Sequence, residues 1–174
     1  MQLQMLGTGG ALAKKYFNTN ALIFVDGYTL LIDCGITAPH ALHILGKRCD
    51  EIDGILISHL HGDHIGGLEQ FAFQMKFIYH KKHTLFIPDV LAEPLWNHSL
   101  KGGMDDGGQG TGLDDYFHVV LLHEGRRTAV HNNLTVEPIR TEHIPGKPSF
   151  SFLLNDSLFF SADMRFNRTF IDAL

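Results

Sequence analysis

The stretch Ile57–Gly67, ISHLHGDHIGG, sets three histidines and an aspartate (His59, His61, Asp63 and His64) in close succession behind an apolar run. Side chains of this kind repel one another or stay idle unless something binds them. In extended backbone, residues two apart point the same way, so His59 and His61 can share one ion. Gly62 frees the backbone to turn, and Asp63 and His64 then face a second ion close by. Gly66-Gly67 lets the next helix start tightly beside the site. Nitrogen and carboxylate donors suit zinc, and also manganese or iron. The competing reading is a polar surface turn with chance histidines, but such short ligand clusters seldom arise without a metal role.

Working outward, DGILIS (53–58) is a short continuous apolar strand, the pattern of a strand buried on both sides. MQLQML (1–6) alternates as a strand and is broken by GTGG (7–10) into a tight loop. NALIFV (20–25) and TLLIDC (29–34) form a hairpin around Asp26-Gly27, a favourable two-residue turn. APHALHILGKR (38–48) has helical spacing, with Leu42, Leu45 and Ala38 or Ala41 on one face. IGGLEQFAFQMKF (65–77) is a helix with Leu68, Phe71, Ala72 and Met75 on its stripe. TLFIP (84–88) is a strand and DVLAEPLWNHSL (89–100) a helix, with Trp96 in the core. KGGMDDGGQGTG (101–112) is glycine-rich and is expected to be a mobile loop. FHVVLL, TAVHN, LTVEPIRT, PSFSFLL and SLFFSA are strands, the last two joined at Asn155-Asp156. NRTFIDAL (167–174) begins a helix. Strands and helices alternate and then strands dominate, which suggests sheets covered by helices in one α/β domain over residues 1–174.

Composition narrows the partners. The 174 residues carry a net charge of −5, with 44% apolar and 19% charged residues. Short basic pairs exist, but no basic stripe of the kind that grips a nucleic-acid backbone. No apolar run is long enough to span a membrane. The start lacks a basic leader and a long apolar core, and Cys34 and Cys49 are too few for a disulfide framework. These features lead us to expect a cytoplasmic protein with free thiols and a buried Cys34. Histidine, the commonest metal ligand, occurs 12 times. Most of the remaining histidines are assigned to the surface or to strand packing; His98 borders the glycine-rich stretch and is the one to watch.

The H-x-H-x-D-H cluster after an apolar strand resembles the signature of the metallo-β-lactamase fold superfamily. LGTGG with NTNALI resembles the N-terminal strands of its ribonuclease Z-like and cyclic-nucleotide phosphodiesterase branches. LLIDCG, TEHIPGKPSFSFLL and FFSADM resemble three further landmarks, so the likeness covers nearly the whole chain. It implies an αββα sandwich in the α/β class and a site with two divalent metal ions. In that site His59, His61 and His143 hold the first metal, Asp63 and His64 hold the second, and Asp163 bridges both. Asp33 is implied as a carboxylate that orients a ligand histidine. The implied nucleophile is a water between ions about 3.5–4 Å apart. In the ribonuclease Z-like branch the carboxylate at Asp63 also accepts the proton of the attacking water, which makes it the catalytic residue.

The family supplies one more histidine to the second metal, after another strand and helix. None follows Asp163 here. The expectation is therefore a sandwich incomplete at the C-terminus, either a fragment or a shortened form, with a homodimer partner or partner fragment covering the exposed edge and apolar face.

The superfamily hydrolyses many bond types, so the fold does not name the substrate. The first expectation is a phosphodiesterase for a small, cyclic nucleotide, with the glycine-rich loop over the site. Ribonuclease Z-like processing of transfer RNA is the alternative within that class; it fits the negative charge and the lack of a basic arm less well. A lactonase or thioesterase, and a non-catalytic binding role, are the readings from other classes.

Overall fold

The structure, a computed structural model, describes residues 1–107 and 111–173. The apolar run before the histidines becomes β4 (Gly54–Leu56), fully buried. It lies parallel between β3 (Tyr28–Ile32) and β5 (His83–Pro88). Continuous apolar sequence suits such a strand, because both of its faces are covered. β1 (Gln2–Gly7) and β2 (Asn20–Val25) extend the sheet antiparallel on one side, and β6 (Phe117–Leu122) extends it parallel on the other. The strand order is β1-β2-β3-β4-β5-β6. The hairpin turn at Asp26-Gly27 has φ of 49° and 82°, the left-handed pair that matches the twist of the flanking strands.

The second sheet is antiparallel, in the order β10-β9-β8-β7: β7 (Thr128–His131), β8 (Leu134–Arg140), β9 (Phe150–Leu154) and β10 (Leu158–Phe160). β8 buries Leu134, Val136 and Pro138 and leaves Thr135, Glu137 and Ile139 half-exposed, the alternation of a strand with one face on a core. Asn155-Asp156 takes φ of 49° and 51° and forms the expected turn. The sheets are tied where the Phe150 N–H donates to the Ser58 carbonyl at 3.1 Å and where Tyr28 stacks on His131 at 4.6 Å.

α2 (Gly62–Ile65) is the short turn that carries Asp63 and His64; α1 (Ala38–Ile44), α3 (Leu68–Phe73) and α4 (Asp89–Leu95) pack on the six-stranded sheet, and Leu68, Phe71, Ala72, Met75 and Trp96 are buried as expected. On the second sheet the helical layer is represented, among the described residues, by α6 (Arg168–Ile171), whose Phe170 ring meets Phe159. Cys34 and Cys49 are buried free thiols. No helix of the described residues is long and apolar enough to cross a membrane.

Two expectations are corrected. Leu45 is 45% exposed, because α1 ends at Ile44 and the chain leaves through Gly46 at φ 69°. Lys101–Met104 is helical (α5), not loop. The helix that starts at Asp89 runs on through a π-helical turn, Trp96–Leu100, into this segment. Buried Met104 and a hydrogen bond from the Tyr116 hydroxyl to its carbonyl (2.5 Å) hold the segment against the local glycines. Of the loop expected beyond it, residues 108–110 lie outside the described residues.

The loop after β3 is sewn to the loop after β4. The Cys34 N–H donates to the His64 carbonyl at 2.7 Å, Ile36 N–H to Gly62 at 3.2 Å, and Gly67 N–H to Cys34 at 2.9 Å. Contact is so close that a Cβ on Gly35 would lie 1.9 Å from the Asp63 carbonyl oxygen. Gly67 is constrained as well, since a Cβ there would lie 2.6 Å from the Gly35 oxygen. Gly62, by contrast, has open space and a helical start, so the turn there does not need glycine. Gly35→Ala should therefore cost roughly 1–3 kcal/mol of stability and displace the histidine loop, whereas Gly62→Ala should be nearly neutral. Urea unfolding of both variants checks this.

His83 begins β5 with its ring buried beside Phe71. Burial pushes its imidazole down to about 4, against a hydrogen bond to the Ile52 backbone. The unfolded chain takes up this proton near pH 6.5 and the folded chain only near 4, so the associated stability is whole above 6.5 and is lost as pH falls. Between pH 7 and pH 4 the loss should be about 3 kcal/mol. His83→Leu should lack this component, read as the difference between parent and variant in denaturant unfolding at the two pH values.

Candidate metal centre

The site grows from the end of β4. His59 and His61 lie on either side of Leu60 in extended chain, and His59 Nε2 approaches His61 Nδ1 to 3.1 Å. From the segment before β9, His143 brings its Nε2 to 3.2 Å from the same His61 Nδ1. A single ring nitrogen carries one proton or one lone pair in the ring plane, so it cannot hydrogen-bond well to both neighbours. A shared cation satisfies all three. His59, His61 and His143 thus form one group of donors lying within 4.8 Å of one another.

His59, His64 and Asp163 form a second such group, which shares His59 with the first. Asp163 lies between the two, 3.5 Å from His64 Nε2 and 3.7 Å from His143 Nε2. It follows Ala162, whose φ of 46° is unusual for a residue with a side chain and marks a tight exit from β10. Asp63 falls outside both groups of three, but its carboxylate is buried and lies 3.5 Å from His64 Nε2.

Behind the donors stands Asp33, wholly buried with φ 59°. Its carboxylate accepts from the Ser58 N–H at 2.8 Å and the Ser58 hydroxyl at 2.7 Å, and contacts His64 Nδ1 at 2.6 Å. Asp33 thus orients a histidine of the cluster, and that histidine is His64. The proton of His64 sits on Nδ1 toward Asp33, which turns Nε2 into the site. That nitrogen is buried and has no hydrogen-bond partner, as expected of a ligand atom. The donor set of imidazoles and carboxylates fits a divalent metal.

The charges agree with this geometry. Burial, and then the repulsion of His64 and His61, pushes His59 down to about 3, so both of its neighbours meet a neutral ring. His61 is also lowered, by burial first and then by His143, with Lys147 adding to the effect. Burial lowers His64, but the carboxylates of Asp163 and Asp33 outweigh it and hold this imidazole up at about 10. At 3.5 Å, Asp163 acts as a nearby charge, while Asp33 is the hydrogen-bond partner. Asp163 is held down at about 2, chiefly by His64. A ring held charged carries a proton on Nε2 as well as on Nδ1, and a cation at Nε2 would take the place of the former.

A cleft of about 340 Å³ opens onto His59, His61 and His143. Val90, Leu91 and Pro94 of α4 form its apolar wall. His98 lines it, as do Lys147 and Ser149, which no motif in the sequence singles out. The signal for them was their place in IPGKPS, directly after His143. Ser58 was missed as well; its position between the apolar strand and His59 was the available signal.

The family model described as Anti-Pycsar protein Apyc1 matches residues 1–174. The Anti-Pycsar protein Apyc1 of Paenibacillus sp. (strain J14) is 57% identical over 166 residues, covering 95% of this chain and 68% of that protein. Among solved structures, the metallo-β-lactamase fold protein YhfI from Bacillus subtilis superposes with a TM-score of 0.73 at 16% identity, over 98% of this chain and 65% of its own. The short form of human tRNase Z gives 0.64 at 20% identity, over 88% of this chain and 64% of its own. The chain therefore spans about two thirds of the length of the proteins it matches. The fold is the metallo-β-lactamase fold, and with a match along its full length and more than half its residues shared with a relative, the chain belongs to the Anti-Pycsar protein Apyc1 family.

Proposed function

We propose that the protein is a metal-dependent phosphodiesterase that opens small cyclic nucleotides. The observation that carries the reading is the pair of donor groups meeting at His59, with Asp163 between them. His59, His61 and His143 would hold one divalent ion, and Asp63 and His64 a second, with Asp163 reaching both. Zinc suits this donor set, and manganese or iron would also fit. Two such ions supply positive charge that stabilises the oxygens of an in-line displacement and makes a water more acidic.

The chain's own residues do the rest. Asp33 holds His64 by Nδ1 and so fixes its ligand nitrogen. Asp63, buried beside His64, accepts a proton at its carboxylate from the attacking water. Val90, Leu91 and Pro94 keep one side of the cleft dry, which strengthens the charges within it. A cleft of about 340 Å³ suits one small ligand. Transfer RNA is disfavoured by the net charge of −5, because a long backbone needs many lysines and arginines on one surface.

Elemental analysis of the full-length protein after gel filtration should find two divalent ions per chain; folded protein without metal would overturn the reading. Asp63→Asn is isosteric and should leave the fold intact while turnover of a cyclic mononucleotide drops about 100-fold or more. Unchanged turnover would remove Asp63 from its role. In a competition between cyclic mononucleotides and a precursor transfer RNA, the nucleotides should be consumed with little dependence on salt. Trimming of the precursor alone would transfer the assignment to transfer RNA processing.

A further inference from the structure

The turn that follows His143 carries two polar side chains that neither the metal groups nor the core use. Lys147 lines the cleft and is, among its described lining residues, the one lysine or arginine. Its position is set by the turn itself. The Lys147 N–H donates to the Ile144 carbonyl at 3.0 Å, and Gly146 takes φ of 78°, which a residue with a side chain rarely adopts. Pro148 then stiffens the step to Ser149. Ser149 also lines the cleft, yet it is only 2% exposed and its hydroxyl has no hydrogen-bond partner. A buried hydroxyl left unpaired lowers stability, so its presence beside a reactive cluster points to a ligand atom as its partner.

The two residues complement the chemistry beside them. A phosphodiester anion approaches a chain of net charge −5, with the carboxylates of Asp63 and Asp163 already at the site. A cation on the open side and a hydroxyl donor on the buried side offset that repulsion and orient the phosphate oxygens. The turn closed by Ile144 and Lys147 follows His143 directly, so the backbone places the lysine on the same loop as the donor group.

The geometry points to Lys147 and Ser149 as the pair that receives the phosphate oxygens of the substrate, a specificity-determining anion subsite beside the metal donors. This rests on the phosphodiesterase reading above.

The test uses the full-length, metal-loaded protein with Lys147→Met, Lys147→Arg and Ser149→Ala. Lys147→Met should raise KM for a cyclic mononucleotide about fivefold at low ionic strength, an effect that shrinks as salt rises, with kcat and metal content nearly unchanged. Lys147→Arg should restore most of the loss. Ser149→Ala should lower kcat/KM about tenfold while its melting temperature stays level or rises, because an unpaired hydroxyl has been removed. A structural serine would give the reverse: a lower melting temperature and unchanged kinetics. Unchanged KM in Lys147→Met overturns the role of the lysine. Calorimetric titration with inorganic phosphate separates this inference from the function itself. If the parent turns over no phosphodiester, the reading above fails, and the subsite then stands if both variants weaken phosphate binding and falls if they do not.

Discussion

Everything at this site hangs on one buried carboxylate. Asp33 sits at the end of β3 without solvent, where an unpaired charge would be very costly. Its partners are the Ser58 N–H, the Ser58 hydroxyl and His64. Satisfying that charge forces the loops after β3 and β4 together, and the two small residues Gly35 and Gly67 permit it. Once the seam is closed, His59, His61 and His64 have little freedom left. The ligand geometry is in this sense a by-product of solving a solvation problem inside the core.

The electrostatics follow from the same enclosure. Burial and mutual repulsion disfavour a proton on His59 and His61, while His64, between two carboxylates, is held charged. Such an arrangement is poorly satisfied by protons and well satisfied by divalent cations. Val90, Leu91 and Pro94 of α4 give the same cleft an apolar stretch of wall.

Much of this was legible in the sequence, because the signals were local. Alternation and apolar runs gave the strands, two-residue turns gave the hairpins at Asp26-Gly27 and Asn155-Asp156, and the cluster at 59–64 announced itself by spacing. The convergence of His143 and Asp163 on it came from a family resemblance, not from periodicity. What escaped depended on tertiary contacts. Glycines at 102 and 103 spoke for a loop, but the burial of Met104 and the Tyr116 hydrogen bond carried the helix onward. Leu45 fits a helical face on paper and lies past the helix end in space. Lys147 and Ser149 gain meaning only from the cleft that they share with α4.

His61 and His143 meet across 82 positions of chain, each from a segment that leaves a different sheet. An ion held by both would be a cross-link between them. Closing a loop of that length removes unfolded-chain freedom equivalent to roughly 4.5 kcal/mol, the scale of a long-range disulfide. The two sheets are otherwise joined near the site by few polar links, such as Phe150 to Ser58. Mechanical integrity and metal binding would then be governed by the same event: the chain whose sheets have docked is the chain that could hold an ion, and an ion would in turn lock the dock.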